Sequence, residues 1–271
     1  DVNDDVMVYG TIYTGFRPGG INRRGNLPPY DADTLTNYEF GWKTELADNR
    51  VRFNGAVFYE QWKDFQYSLL GANGLTQILN AADAEITGIE ASLDWLVTDN
   101  FTLQGGATLL HAETTTDLCN IDAATSLVDC TAGLEAPAGT ELPVTPEFKA
   151  NLTGRYNFQL NNWDAFVQTS MVYQSEVFND LRVASDEERR LIGNSDAYML
   201  ADFTAGFDMP TWSLSFYVNN LTDERAEINR FAQCATQVCA TDDAVEAPGG
   251  PGIYVVPVQP RTFGIRFGQR F

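Results

Sequence analysis

The sequence has no run of apolar residues approaching the ~18 that a membrane helix needs, and its mean hydropathy is −0.22. That absence excludes a helical membrane protein. It leaves a membrane β-barrel open, because a barrel distributes its lipid face over alternate residues. Basic residues are scarce: 17 Lys and Arg stand against 37 Asp and Glu, for a formal charge of −20 and a pI near 4.2. A chain so acidic offers no basic patch for phosphate, which argues against nucleic acid as a partner. His111 is the only histidine, which weakens both a zinc site and direct haem ligation; no cofactor is expected. No GxSxG elbow supports a serine nucleophile. Asp1 opens a polar, acidic stretch where a secretory leader would be apolar, so the chain is expected to be mature or cut from something longer.

What is present is period-two alternation. In 147–158, Phe148, Ala150, Leu152, Gly154, Tyr156 and Phe158 alternate with Glu147, Lys149, Asn151, Thr153, Arg155 and Asn157. One face is apolar and the other polar, as in a strand between two media. Segments 35–46, 51–60, 84–97, 101–112, 163–175, 197–208, 212–221 and 261–271 repeat the pattern. Segment 5–16 makes the tenth strand, with an ambiguous phase because Tyr9 and Tyr13 oppose Val6, Val8 and Ile12. Tight turns at Ala47–Arg50, Thr98–Asn100, Gln159–Asn162 and Met209–Thr211 alternate with long connections at 17–34, 68–82, 114–146, 177–195 and 222–260. A soluble sandwich has no reason to sort its loops this way, whereas outer-membrane barrels have short turns on one side and long loops on the other. The fold class expected is all-β, an antiparallel transmembrane β-barrel.

Four of the five tryptophans, Trp42, Trp95, Trp163 and Trp212, fall on the apolar phase beside the short turns, as an interfacial girdle would. Trp62 lies in the opposite phase near the other end and has no such explanation. Cys119 and Cys130 form one close pair, and Cys234 and Cys239 another, both in loop-like segments. Of the three possible connectivities the spacing favours 119–130 and 234–239, local disulfides in an oxidising compartment.

An ordered set of stretches resembles the C-terminal half of a TonB-dependent outer-membrane receptor barrel. They are YTGFRPGG at 13–20, LTNYEFGWKTEL at 35–46, NGAVFYEQWKDFQ at 54–66, NAADAEITGIEASL at 80–93, TPEFKANLTGRYNF at 145–158, YVNNLTDER at 217–225 and PRTFGIRFGQRF at 260–271. The resemblance implies a barrel of about 22 strands, of which residues 1–271 would supply the last ten, with the N-terminal plug and earlier strands lying elsewhere. It implies energy-coupled uptake of a scarce small-molecule nutrient, most readily a ferric siderophore-type ligand. The implied partners are the TonB energy-coupling complex acting through that plug, outer-membrane lipid and lipopolysaccharide, and the barrel-assembly machinery. Phe263, Ile265, Phe267 and Phe271 share the lipid-facing phase of the last strand, and the resemblance implies that this terminal aromatic strand is an assembly signal.

The inward phase offers Glu39, Lys43, Arg52, Glu60, Lys149, Arg155 and Arg266 as lumen groups. Arg17, Arg23 and Arg24 near FRPGG, Arg182, Arg189 and Arg190 in a later loop, and Arg155 are the candidates for holding an anionic ligand through charge-assisted bonds. Mixed clusters of this kind also occur as solvated surface. Loop 114–146 carries Asp117, Asp122, Asp129, Glu135 and Glu141 with no basic residue; it lacks the DxDxDG calcium pattern and reads as a solvated acidic loop. Two rival readings remain. One is a closed ten-stranded surface protease or lipase using His111 with Asp117 or Glu113, although His111 falls on the lipid-facing phase. The other is a non-transporting adhesin or scaffold barrel.

Overall fold

The computed structural model describes residues 1–23, 27–70, 76–121, 128–181, 192–232 and 253–269. In chain order its strands are β1 (Val6–Arg17), β2 (Asp33–Leu46), β3 (Val51–Lys63), β4 (Gln66–Leu70), β5 (Thr76–Asn80), β6 (Ala84–Thr98) and β7 (Phe101–Thr114). They continue with β8 (Leu118–Ile121), β9 (Val128–Ala136), β10 (Phe148–Leu160), β11 (Trp163–Gln174), β12 (Val177–Phe178) and β13 (Asn194–Ser195). The last are β14 (Tyr198–Asp208), β15 (Trp212–Asn219), β16 (Glu227–Ala232), β17 (Ile253–Pro257) and β18 (Thr262–Gln269).

Ten of these strands form one antiparallel sheet in the order β1-β2-β3-β6-β7-β10-β11-β14-β15-β18. Each strand pairs with the next long strand in sequence, so the sheet is a meander. The short connections coincide with the turns expected. Asp48 and Asn49 take left-handed backbone at φ 54 and 64, and Asn161 does so at φ 57; Asp and Asn tolerate that region, and it matches the twist of the flanking strands. The remaining strands are two-stranded hairpins set into the long connections: β4–β5, β8–β9, β12–β13 and β16–β17. These hairpins were not expected. Cys119 and Cys130 therefore lie on paired strands rather than in irregular loop.

The pairing register assigns each side chain to a face. Val8 stands opposite Trp42 and Ile12 opposite Tyr38, whereas Tyr9 stands opposite Gly41 and Tyr13 opposite Asn37. This resolves the ambiguous first strand: its aliphatic residues share the outward face, and its tyrosines point inward with Glu39 and Lys43. The outward face is open and apolar, with Phe263 65%, Ile265 72% and Phe267 64% exposed on β18. In water such a patch would drive aggregation; in lipid it is the solvated face. Toward the long-loop end it turns polar beyond Tyr59, Ile89 and Leu109, reaching Gln61 on β3, Glu85 and Thr87 on β6, and His111 and Glu113 on β7. These strands, up to 15 residues long on β6, outrun the ~9–11 that a tilted crossing needs, so they rise above the apolar band.

Trp42, Trp95, Trp163 and Trp212 stand on the outward face toward the short turns. Trp163 meets Phe207 at 5.6 Å and Trp212 at 6.3 Å edge-on, and Trp212 lies 6.5 Å from Phe267. A cluster of buried apolar residues lies elsewhere, at the long-loop end, while Ala56, Ala165, Ala201 and Val218 are buried on the sheet itself. Phe65, Ala82, Ala84, Ala112, Leu118, Ala136, Leu142 and Leu181 form a cluster drawn from three long connections and the strand ends beneath them.

Candidate functional site

The long-loop end is organised around Asp33, 1% exposed at the start of β2. Arg17 ends β1 directly opposite and pairs with this carboxylate through both Nε and a terminal guanidinium nitrogen. Trp62 Nε1 donates to it at 3.1 Å and the Gln66 amide at 3.0 Å. The Arg17 guanidinium also lies 5.0 Å over the Trp62 ring. A buried carboxylate must be paired and hydrogen-bonded to remain charged, and three residues from three strands do this. Trp62, unexplained by the girdle, is thereby a fixed part of the rim.

Each long connection is bonded to others. In the first, Asn22 donates to the Ile78 carbonyl and accepts from its amide, at 2.9 and 2.8 Å. Tyr67 donates to Asp180 at 2.8 Å, joining the second connection to the fourth. The Asp83 amide donates to Thr116 at 2.8 Å, and the Val144 amide to the Phe178 carbonyl at 2.7 Å. The Arg230 amide donates to Asn179 at 3.2 Å, bringing in the fifth. With Leu118 and Leu181 both 0% exposed between them, the described parts of the loops form a packed crown rather than separate flaps.

The Cys119–Cys130 disulfide is present, with a Cα separation of 4.5 Å, so the described part of 114–146 is a stapled strand pair packed at its base and not simply a solvated loop. Cys234, Cys239, Arg24, Arg182, Arg189, Arg190 and Phe271 lie outside the described residues. Arg23 is exposed in the first connection. Arg155 is not near Arg17. It lies on the inward wall of β10, with its guanidinium 3.7 Å over the Phe166 ring and Nε donating to Asn157 at 3.0 Å.

The fifth connection starts at Asn220, which has φ 51 and is 5% exposed. Its side chain donates to the Glu224 and Gln259 carbonyls at 2.9 Å and accepts from the Glu224 amide at 2.8 Å. Next to it, Asp223 accepts from the Arg261 amide at 3.1 Å and from the Arg225 guanidinium at 3.0 Å. Those two donors, the Arg261 amide first, hold its carboxyl below the usual range. The stretch YVNNLTDER is therefore the clamp at the base of this loop, and Asn220 ends the strand before 221.

The inward wall repeats one arrangement at its two edges. The Tyr9 ring lies across Gly41, where a Cβ would fall 2.3 Å from it, and Lys43, two residues further along β2, sits 5.9 Å over the ring. The Tyr217 ring lies across Gly264 in the same way, with Arg266 5.6 Å over it. Between the edges, the wall holds a cleft of about 710 Å³ reaching from Tyr9 and Lys43 to Lys149.

His111 faces outward, with Nε2 3.3 Å from Glu113 and Nδ1 3.6 Å from Glu147. Asp117 instead accepts from the Ala138 amide at 2.8 Å, so it does not partner His111. Among the described residues no three His, Cys, Asp or Glu side chains are grouped to hold a metal.

The family model for the TonB-dependent receptor-like β-barrel matches residues 1–221. A pesticin receptor of Yersinia enterocolitica is 33% identical over 121 residues, covering 43% of this chain and 17% of its own length. The probable TonB-dependent siderophore receptor PiuA of Acinetobacter baumannii is 23% identical over 264 residues, covering 91% of this chain and 31% of its own. The crystal structure of the ferric yersiniabactin uptake receptor FyuA from Yersinia pestis superposes with a TM-score of 0.71 at 19% identity, over 98% of this chain and 35% of that one. The chain thus spans about a third or less of these relatives, which are receptors and not enzymes. Its meander, its apolar outward wall and this match lead to one assignment: the chain belongs to the TonB-dependent receptor family and forms part of its outer-membrane β-barrel.

Proposed function

We propose that this chain is the C-terminal ten-strand wall of a receptor that takes up a ferric siderophore-type ligand with energy from the TonB complex. The observation that carries the reading is the crown: the described parts of the long loops are bonded and packed into one body, which spares a ligand the cost of ordering those parts. The siderophore receptors among its relatives support the ligand class. Unpaired edges at β1 and β18 support completion of the wall by further strands, with TonB engaged through a plug in the rest of the protein. In this reading Trp42, Trp95, Trp163 and Trp212 form the periplasmic interfacial girdle against outer-membrane lipid. Lipopolysaccharide faces the opposite end, and Phe263, Ile265, Phe267 and Phe271 address the barrel-assembly machinery. Arg23, and on sequence grounds Arg24, Arg182, Arg189 and Arg190, are the arginines proposed for the ligand, while Arg17 is committed to Asp33.

The test is uptake of radiolabelled iron by cells carrying the whole receptor, offered catecholate, hydroxamate and carboxylate chelates, with and without a proton uncoupler. At least one chelate should accumulate, and the uncoupler should abolish accumulation while surface binding persists. Uptake no greater than in a receptor-deleted strain, or uptake indifferent to the uncoupler, would overturn the proposal.

A further inference from the structure

Among the described residues, eight other than glycine have left-handed backbone. Six are Asp or Asn, whose short polar side chains tolerate that region, and one is Ala47 in a tight turn. The eighth is Val144, at φ 57. A β-branched residue there is an outlier, because its γ carbons crowd the backbone as well as its Cβ. Packing does not account for the choice, since Val144 is 46% exposed. Such a conformation persists only where the surrounding structure fixes it, so the strain is imposed by the chain on either side.

Two pins impose it. The Leu142 amide donates to the Ala112 carbonyl at 2.9 Å, and the Glu147 carbonyl accepts from the Leu110 amide at 2.9 Å. From Leu110 to Ala112 is two steps along β7, but from Leu142 to Glu147 is five, so three residues are in excess and Pro143–Pro146 bulge away. Pro143 fixes its own φ at about −65°. A proline followed by a positive φ is a turn that ordinarily takes glycine second, and valine stands in that place. Pro146 in turn holds Thr145 extended. Neither proline has an amide hydrogen, so the bulge has two backbone donors, Val144 and Thr145. The first crosses to the fourth connection and meets the Phe178 carbonyl at 2.7 Å.

This joint differs from the others in the crown. The residues of the Tyr67–Asp180, Asp83–Thr116 and Arg230–Asn179 bonds all have ordinary backbone, so breaking one of them regains nothing. When the Val144 bond breaks, the residue can swing to the extended region it prefers. Left-handed backbone disfavours a residue with a Cβ by about tenfold, which is comparable with the net worth of one hydrogen bond. Leu142 and Leu181, buried on either side, belong to the apolar cluster and carry no such strain.

We infer that the Pro143–Pro146 bulge is a strained strap between the third and fourth connections, built to release at Val144 while the packed cluster beneath it holds. The crown first parts along this seam, and the second, fourth and fifth connections stay bonded to one another. The inference goes beyond ligand capture and stands whichever nutrient is carried.

Hydrogen exchange of the whole purified receptor, resolved to single amides by fragmentation mass spectrometry, tests it. After correction for intrinsic rates, the Val144 amide should exchange at least tenfold faster than the Leu142 amide, although both are hydrogen-bonded. Val144→Asn accepts left-handed backbone without gaining freedom when released, and should slow exchange at this position about tenfold. Val144→Gly should slow it less, because glycine also gains conformational freedom in the released strap. The Leu142 rate should be the same in all three proteins. Equal rates at Val144 and Leu142 would overturn the inference, since the segment would then open as a unit. So would an unchanged rate in Val144→Asn, since strain would then have no part in the opening.

Discussion

Arg17 and Asp33 face each other across the outer ends of β1 and β2, and the Asp33 carboxylate also serves Trp62 and the Gln66 amide. Removing its charge leaves a guanidinium and two further donors facing a neutral amide. Breaking a buried pair costs about 3–5 kcal/mol. Arg17 is half exposed, so Asp33→Asn is expected to lower the local opening free energy by only about 2 kcal/mol. Proteolysis in 18–32 and 64–83 should then quicken roughly thirtyfold while the barrel stays folded. Unchanged cleavage would show that the node does not hold the crown.

Breaking the Cys119–Cys130 bond should be equally local. A loop of this length is worth about 3 kcal/mol of chain entropy, and the hairpin contributes no strand to the ten-strand sheet. Cys119→Ser should loosen β8–β9 without touching the heat-resistant fold. Global loss of heat resistance on a semi-native gel would contradict this.

Asp223 predicts a pH dependence at the base of the last loop. Its carboxyl is held below the usual range by the Arg261 amide and Arg225. A group depressed in the folded state stabilises above its ordinary pKa of about 3.9 and loses that contribution as pH falls through the folded value. Exchange protection of the Arg261 amide, corrected for intrinsic rate, should be constant from pH 7 to about 4 and decline below. In Asp223→Asn the acid step should vanish.

Glycines on the wall should differ in tolerance according to what a Cβ would meet. At Gly55 it would fall 2.6 Å from the Glu90 backbone carbonyl, whereas at Gly41 it meets only the mobile end of the Tyr9 side chain. Gly55→Ala should cost about 1–3 kcal/mol as overpacking. Gly41→Ala should cost less, about the one hydrogen bond from Tyr9 to Glu39, ~1 kcal/mol. Gly15→Ala, with nothing within 4 Å, should be silent. Thermal midpoints of gel heat-modifiability should rank in that order.

The wall was legible because alternation is a local signal: the phase of Phe148–Phe158 needs only its own eleven residues. The first strand was not, since tyrosine suits either medium and only pairing with Gly41 and Asn37 decides its face. The loop hairpins and their bonding left no such trace. Tyr67 and Asp180 are 113 positions apart, and nothing in either neighbourhood announces the other. Asp33 and Asn220 were missed for the same reason, because their importance lies in partners brought from other strands. Arginine was the visible clue to a ligand, yet Arg17 answers to a carboxylate of the fold itself.

The interlocked crown also bears on how such a protein can acquire a new cargo. A loop transplanted alone from a relative would arrive without the Asn22, Tyr67 or Asn179 contacts its neighbours expect, and would leave the Ile78 carbonyl, the Asp180 carboxylate or the Arg230 amide without that partner. The heritable unit of selectivity is then the whole set of loops, or else point changes on its surface. Chimeras that swap one loop should lose binding for reasons unrelated to the residues that touch the ligand.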